Sequence, residues 1–451
     1  MTFMKDRKST MAEDALKARF EDVVADLPGA DVPWVREMRE SACERFNARG
    51  LPDRRVEAWK YSDLRAKLRE ASDLTIEGDD LTEAEIYEAL GVDFDEMLSY
   101  RITIVDGAYR PELSNLEGAG EKLEVLSMRD ALNNPPTWLQ ENLGQVNPRE
   151  DEAVIDLNTA FMSDGVALRV APGAQIERPI HLIMITGSKT SGFVNLRNFV
   201  EVGEGAKLTL LETYATRRAP DMQRNSVTEM KVGDKAQVEH IKYQNEGRRA
   251  THVTSWMVAL GEKSKYSAFE FAIGGDFARH QTFLRFLGEH AYASISGAMM
   301  LWDTQHADAT VVVNHDVPNC TGRELFKCVL DDRAHGVVQG KAIVHKRAQK
   351  TDGHQMARSL MLSEIAQFSS KPELEIYADD VICGHGSTSG ELDENLLFYL
   401  RARGIPEDKA RALLVNAFID EAIERVENDE IRMAFLTRSA DWLGQKREED
   451  N

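Results

Sequence analysis

The chain has 451 residues, and its 55 Lys and Arg against 76 Asp and Glu give a formal net charge of −21. This acidic balance disfavours a nucleic-acid surface, which needs a basic stripe, and it disfavours anionic membranes. The sequence has no apolar run of the length of a membrane span, and residues 1–13 lack the apolar run of a secretory signal. The four cysteines are scattered and form neither a disulfide framework nor a zinc-ribbon spacing, so we expect a reduced, cytoplasmic location.

The first part of the chain, residues 1–150, is predicted to be an N-terminal helical domain. Apolar residues between Leu16 and Leu27 recur at the spacing of one helix face. A second helix is predicted to begin near Pro33, a residue favoured in the first turn, and to stop at Gly50.

From about residue 151 the pattern changes to short runs in which apolar and polar residues alternate, as strands do. A five-residue word recurs there, with an apolar residue first, a turn residue (most often Gly) second and a small residue last. The small residues follow one another at steps of 32, 30, 28 and 27 residues: Ala174, Ala206, Ala236, Ser264 and Ala291. A near-constant step without intervening helices predicts a β-helix over 151–390, with a β-sandwich of irregular hairpins as the alternative. We expect the glycine to permit a left-handed corner.

The helical period returns over 391–451, which we expect to be a C-terminal helical domain. Its middle helix is predicted to begin at Pro406, with acidic residues in the first turn. The apolar face of that helix includes Leu413, Leu414 and Phe418. This face could pack on the end of the solenoid or dock a partner, and the residues alone leave both open.

The templates of common catalytic sites do not fit this sequence. Residues 336–342 come nearest to a phosphate-binding Walker A loop, but they are one residue short and have Ala where a hydroxyl is required. A G-x-S-x-G nucleophile elbow, an H-E-x-x-H zinc motif and a Rossmann fingerprint are absent from the sequence. We therefore expect no ATP site and no catalysis by this chain itself.

One local pair of residues carries chemistry, Cys383 and His385. In an extended strand their Cα atoms would lie about 6.6 Å apart on one face, so a thiol and an imidazole could reach one iron or zinc centre. An iron–sulfur cluster needs about four protein ligands, so the remainder must come from elsewhere in this chain or from another. A buried cysteine beside a hydrogen-bonded histidine is the alternative. Possible neighbours one coil away are His345, Asp352, His354, Asp379 and Asp380.

Several sequence words resemble those of the SufD family. They are EAWKY at 57–61, HDVPNC at 315–320, AQKTD at 348–352, KPELEI at 371–376, ADDV at 378–381, CGHG at 383–386 and YLRARGI at 399–405. These words occur in order over much of the chain and are far more specific than a Cys-x-His pair alone.

The resemblance implies a mainly β fold, a right-handed parallel β-helix flanked by N-terminal and C-terminal helical domains. It implies a non-catalytic scaffold subunit of the SUF iron–sulfur cluster assembly complex, paired with SufB and with the ATPase SufC. It further implies that His385 and Cys383 lie at the SufB interface, where a transient cluster is shared. The helices that carry Leu413, Leu414 and Phe418 would match the region that docks SufC.

Other functions stay open at this point. The chain could be an autonomous structural or metal-binding β-helix, a polysaccharide-active enzyme of the exported kind, or SufB rather than SufD. We expect neither nucleic acid nor membrane among its partners, and the isolated chain could form a homodimer when its partner is missing.

Overall fold

The computed structural model describes residues 8–149, 151–218 and 221–449. The α-helices are α1 (Met11–Val23), α2 (Pro33–Arg49), α3 (Leu64–Lys67), α4 (Glu83–Leu90), α5 (Val92–Asp95), α6 (Met128–Asn133), α7 (Thr137–Asn142), α8 (Ala153–Phe161), α9 (Glu394–Ala402), α10 (Glu407–Ile423) and α11 (Asp429–Glu449). Short 3-10 helices lie at Glu57–Trp59, Pro111–Leu113 and Gly120–Lys122. In the part of the chain that the structure describes, no helix is long and apolar enough to cross a membrane.

The strands follow one another closely along the middle of the chain. They are β1 (Tyr100–Val105), β2 (Ala108–Tyr109), β3 (Leu123–Ser127), β4 (Val166–Val170), β5 (Ile180–Thr186), β6 (Gly192–Val202), β7 (Lys207–Thr216), β8 (Met222–Val232), β9 (Gln237–Asn245), β10 (Thr251–Leu260), β11 (Lys265–Ala272), β12 (Phe277–Phe286), β13 (Tyr292–Leu301), β14 (His306–His315), β15 (Thr321–Leu330), β16 (His335–Val344), β17 (Asp352–Met361), β18 (Gln367–Ile376) and β19 (Ile382–Gly390).

These strands wind into a two-sided solenoid. From β4 onwards the even-numbered strands form one parallel sheet, here sheet A, and the odd-numbered strands form the other, sheet B. Each coil adds one strand to each sheet, and neighbouring coils pair in continuous register, as all ten residues of β10 do with β8 and with β12. The predicted stack of β coils is confirmed, and the sandwich alternative is wrong because antiparallel pairing among the described strands is confined to β1–β2 and β3–β4.

The recurring five-residue word forms one corner of each coil. Its last, small residue is enclosed there, as Ala206 is. The left-handed conformation lies at the fourth position of the word, where Lys235 has φ 59° and Lys263 has φ 56°. The glycine at the second position has another role, because a Cβ on Gly233 would lie 2.7 Å from the carbonyl oxygen of Val202 in the coil below. The expected reason for this glycine was therefore wrong: it allows the backbones of stacked coils to approach each other.

The segment before residue 151 supplies strands as well as the predicted helices. β1 extends sheet B by parallel pairing with β5, and β3 extends sheet A by antiparallel pairing with β4. These strands cap the first coil and leave no free edge of β4 or β5 at that end. The proposed domain boundaries at 150 and 390 stay predictions.

Helices cover the outer faces of both sheets. On sheet A the rings of Phe161 in α8 and Phe193 in β6 lie 6.0 Å apart. On sheet B the ring of Phe435 in α11 lies 5.3 Å from that of Phe271 in β11. This cover ends before the last coil, because β18 and β19 contain no buried residue. We call the end of the solenoid formed by β18 and β19 the open end.

The word at 57–61 is an anchor on the outer face of sheet A. The guanidinium carbon of Arg279 lies 3.9 Å from the ring centroid of Trp59, and its Nη2 donates to the carbonyl oxygen of Ala58 at 2.8 Å. Arg279 also forms an ion pair with Asp308, and both side chains are fully buried. We call residues 57–62 the strap. It reaches the open end, because Glu57 pairs with Lys371 of β18 at 2.5 Å.

Candidate functional site

Cys383 and His385 lie on β19, the last strand of sheet B. β19 pairs in parallel with β17, which places Cys383 opposite Gly353 and His385 opposite Gln355. Within the described residues no strand pairs with its other side. The extended conformation predicted for this segment is confirmed, and the two side chains therefore project to the same face of the strand.

The shared face is the one that looks into the lumen of the solenoid. Cys383 packs against the buried residues Val344, Ala348 and Ala378. Burial raises the pKa of the Cys383 thiol, so the thiol stays protonated until a cation displaces the proton. His385 is exposed, because the described chain has no further coil above it, and it makes no hydrogen bond with a described residue.

Four of the five expected neighbours of this pair have other partners. Asp352 and His354 are opposite Ile382 and Gly384, which places them on the outer face of sheet B. They pair with each other, His354 Nδ1 lying 3.1 Å from Asp352 Oδ1. Two other candidates have partners of their own: His345 Nε2 lies 3.1 Å from Asp316 Oδ1, and Asp380 forms an ion pair with Lys350. Over the described ranges, no three His, Cys, Asp or Glu side chains are grouped so that they could hold a metal ion. The chain thus presents two potential ligands at an uncovered edge.

Two polar residues below His385 were missed by the sequence analysis. Glu324 of β15 lies opposite Gln355 of β17, and Gln355 lies opposite His385. Gln355 Nε2 donates to Glu324 Oε1 at 3.3 Å. Enclosure by the lumen walls raises the pKa of Glu324 to about 8, so its carboxyl is mostly protonated at neutral pH. The signal was present, because the positions 324, 355 and 385 are spaced by 31 and 30 residues, the length of one coil.

The three apolar residues predicted for partner docking differ in exposure. Leu413 of α10 is 51% exposed, whereas Leu414 and Phe418 pack against the cluster between α10 and sheet B. Lys327 Nζ lies 4.4 Å from the centroid of the Phe418 ring and donates to the Phe418 carbonyl oxygen at 2.7 Å. Of the three, Leu413 alone is exposed, whereas Leu414 and Phe418 are partly buried. Helix α9 carries further exposed apolar residues that the sequence did not single out for docking: Leu396, Phe398 and Tyr399.

The stretch that came nearest to a Walker A loop, residues 336–342, lies inside β16. Its backbone pairs with β14 on one side and with β18 on the other. A Walker A loop needs free backbone amides that surround a phosphate. A paired central strand does not offer them.

Known proteins match this chain over nearly its whole length. The family model described as "SUF system FeS cluster assembly, SufBD core domain" matches residues 184–418, and the model "SufBD protein N-terminal region" matches residues 11–182. An iron–sulfur cluster assembly SufBD family protein of Synechocystis sp. is 30% identical over 413 residues, which are 89% of this chain and 90% of that protein. The iron–sulfur cluster assembly protein SufD of Escherichia coli is 29% identical over 393 residues, which are 86% of this chain and 88% of that protein. These matches confirm the resemblance that the sequence words indicated, and the chain belongs to the SufBD family of the SUF iron–sulfur cluster assembly system.

Proposed function

We propose that this chain is a non-catalytic scaffold subunit that presents His385 and Cys383 to a nascent iron–sulfur cluster completed by a SufB subunit. The cluster is cargo that is built and passed on, and the ATPase activity belongs to a SufC partner. One observation carries the proposal: an imidazole and a thiol face the same way on an uncovered edge strand. The described residues supply no third ligand beside them.

The partner's edge strand adds to β19 rather than to β18. β18 contains Pro372, which has no N–H to donate, and charged residues such as Lys371 and Glu373, which oppose edge pairing. β19 has the sequence ICGHGSTSG, which contains no Asp, Glu, Lys or Arg and is rich in small residues. An incoming strand can therefore approach its backbone closely and pair with it, as in β-strand addition. Such pairing covers the open end and brings the partner's ligands to the lumen side of His385.

The chemistry of the two ligands suits a transient site. Thiolate and imidazole are good ligands for iron and for iron–sulfur clusters. The raised pKa of the Cys383 thiol means that binding must release a proton, which weakens the site in the absence of the partner's ligands. Two ligands from each of two subunits would hold a cluster that is lost when the subunits separate.

The C-terminal helices provide the surface for SufC. Phe398 is 72% exposed and Tyr399 54% exposed on α9, and Leu413 is 51% exposed on α10. Exposed aromatic and aliphatic anchors of this kind are common in protein interfaces. Leu414 and Phe418 pack beneath this surface and attach α10 to sheet B.

The free cysteines bear on the location of the chain, and the uncovered edge of β19 bears on its oligomeric state without SufB. The four cysteines are free, which fits the reducing cytoplasm that we propose. In the absence of SufB, β19 of a second copy can occupy the same edge, so the isolated chain would form a homodimer through the open end.

The proposal is tested by co-expressing this chain with the SufB and SufC proteins of the same organism. The complex is purified anaerobically, and its cluster is measured by absorption and Mössbauer spectroscopy in wild type, His385→Ala and His354→Ala. His354 is the matched control, because it is a histidine one coil below but on the outer face. We expect the cluster content of the His385→Ala complex to be at least tenfold lower than that of wild type, while all three subunits still co-purify. We expect the His354→Ala complex to keep the wild-type cluster content.

Two outcomes would contradict the proposal. Full cluster content in the His385→Ala complex would show that the imidazole of His385 is not a cluster ligand. A chain that purifies alone from the co-expressing cells would show that it acts without SufB and SufC, as an autonomous solenoid would.

A further inference from the structure

The lumen below His385 contains a column of polar side chains. In a parallel solenoid, residues in register on the same face lie about 4.8 Å apart, so polar side chains can form ladders along the axis. Glu324, Gln355 and His385 occupy consecutive rungs of β15, β17 and β19. The inward residues two positions further along, Phe326 and Ala357, belong to the apolar core. The polar column is therefore local to the rungs below His385.

Gln355 is the middle residue of the column, and only one of the two polar atoms of its side-chain amide has a hydrogen-bond partner. Gln355 Nε2 donates to Glu324 Oε1 at 3.3 Å, whereas Gln355 Oε1 is buried and has no hydrogen-bond partner. A buried amide oxygen without a donor destabilises the folded chain. On the other side of β17, the residue in register with Gln355 is His385 of β19. The ring of His385 makes no hydrogen bond with any described residue. An unpaired acceptor thus lies next to an unpaired ring that carries an N–H.

We propose that Gln355 and Glu324 are positioning residues for His385. The Gln355 side-chain oxygen accepts the ring N–H of His385, and Glu324 holds the Gln355 amide in the orientation that presents this oxygen. The second ring nitrogen of His385 is then left unprotonated and directed away from the column, toward the subunit that covers the open end. A histidine that binds a metal ion through one nitrogen is commonly fixed in this way by an acceptor at the other.

The surroundings keep the column in place. A Cβ on Gly340 would lie 3.0 Å from Glu324 Oε2 and 3.1 Å from Gln355 Cδ, so the glycine of the opposite sheet makes room for both side chains. Glu324 needs no negative charge for this role. A neutral carboxyl still has an oxygen that accepts from the Gln355 amide, so Glu324→Gln should preserve the column and Glu324→Leu should break it.

The experiment measures the tautomer of His385 in the isolated full-length chain. The chain is labelled with ¹⁵N-histidine, and long-range ¹H–¹⁵N spectra are recorded at pH 8, with the His385 signals assigned by their loss in His385→Ala. We expect one dominant tautomer in wild type and in Glu324→Gln. We expect a mixture of both tautomers, as in free imidazole, in Gln355→Leu and Glu324→Leu. Ser359→Ala, an inward substitution on the same strand away from the column, is the control and should match wild type.

This inference rests on the proposed role of His385, and the two can fail separately. Identical His385 spectra in wild type and Gln355→Leu would overturn the positioning role, whatever the cluster content of the complex. A changed tautomer in Gln355→Leu, together with normal cluster content in the His385→Ala complex, would support the column and refute the ligand role. When both hold, Gln355→Leu should lower the cluster content of the co-expressed complex by about the same factor as Glu324→Leu.

Discussion

The buried ion pair beneath the strap gives the sharpest prediction of stability. Asp308 accepts hydrogen bonds from Arg279, from Ser62 of the strap and from Thr310 Oγ1 at 2.9 Å. In Asp308→Asn an NH₂ group replaces one acceptor oxygen and faces at least one of these donors, and the buried Arg279 loses its ion-pair partner. Removing one partner of a buried pair costs about 3–5 kcal/mol, a large fraction of the roughly 5–15 kcal/mol that stabilises a typical domain.

The assay is urea unfolding followed by tryptophan fluorescence, together with limited proteolysis of the strap. We expect Asp308→Asn to lower the urea midpoint and to expose residues 57–62 to protease. Arg285→Gln is the control, because Arg285 pairs with Asp316 at 2.7 Å but its side chain is 36% exposed, and such pairs contribute about 1 kcal/mol or less. If Asp308→Asn shifted the midpoint no more than the control does, the strap would not depend on the buried pair.

Three further predictions concern the stacked coils, the C-terminal surface and the buried histidines. Gly233→Ala should lower the free energy of unfolding by about 3 kcal/mol, because the new Cβ would meet backbone atoms of the coil below. Gly205→Ala should lower it by only about 1 kcal/mol, because Gly205 has φ 66° but open space around its Cβ. Equal urea midpoints for the two variants would contradict this prediction. Leu413→Asp should abolish co-purification of SufC and leave the melting temperature of the chain unchanged. Phe418→Ala should instead destabilise the chain by about 2 kcal/mol. A destabilised Leu413→Asp variant together with a stable Phe418→Ala variant that no longer binds SufC would contradict the assignment of the two residues. Burial lowers the pKa of four histidines from 6.5 to about 3 or about 4: His181, His252, His306 and His315. The unfolded chain therefore binds protons below pH 6.5 that the folded chain does not, so stability is fully present above that pH and falls as the pH is lowered, by up to about 1.4 kcal/mol per pH unit for each histidine. A urea midpoint at pH 5 equal to that at pH 7.5 would contradict it.

The coiled architecture could be read from the sequence because each coil repeats the same local requirement. The small residue at the corner and the alternation within the strands recur at nearly constant steps, and the helical period at both ends is plain. The role of the glycine could not be read locally. A left-handed corner and a close approach both call for glycine, and only the contact between Gly233 and Val202 in the next coil separates them.

The candidate site was predictable in part. Cys383 and His385 could be placed on one face of a strand from their spacing alone, since strand geometry is local. Their neighbours could not, because Asp352 and His354 are one coil away and on the wrong face once the register is known. Applying the coil length of 30 to 31 residues to His385 would have found Gln355 and Glu324. Only the structure shows that the Gln355 oxygen is unpaired.

The central claim is that His385 itself binds the cluster. Only this chain is labelled with ¹⁵N-histidine, the complex is assembled with unlabelled SufB and SufC, and the reduced cluster is measured by pulsed EPR. We expect a ¹⁵N hyperfine coupling from a directly bound imidazole, retained in His354→Ala, with the paramagnetic cluster itself lost in His385→Ala. A paramagnetic cluster in the wild-type complex without any ¹⁵N coupling would contradict the claim.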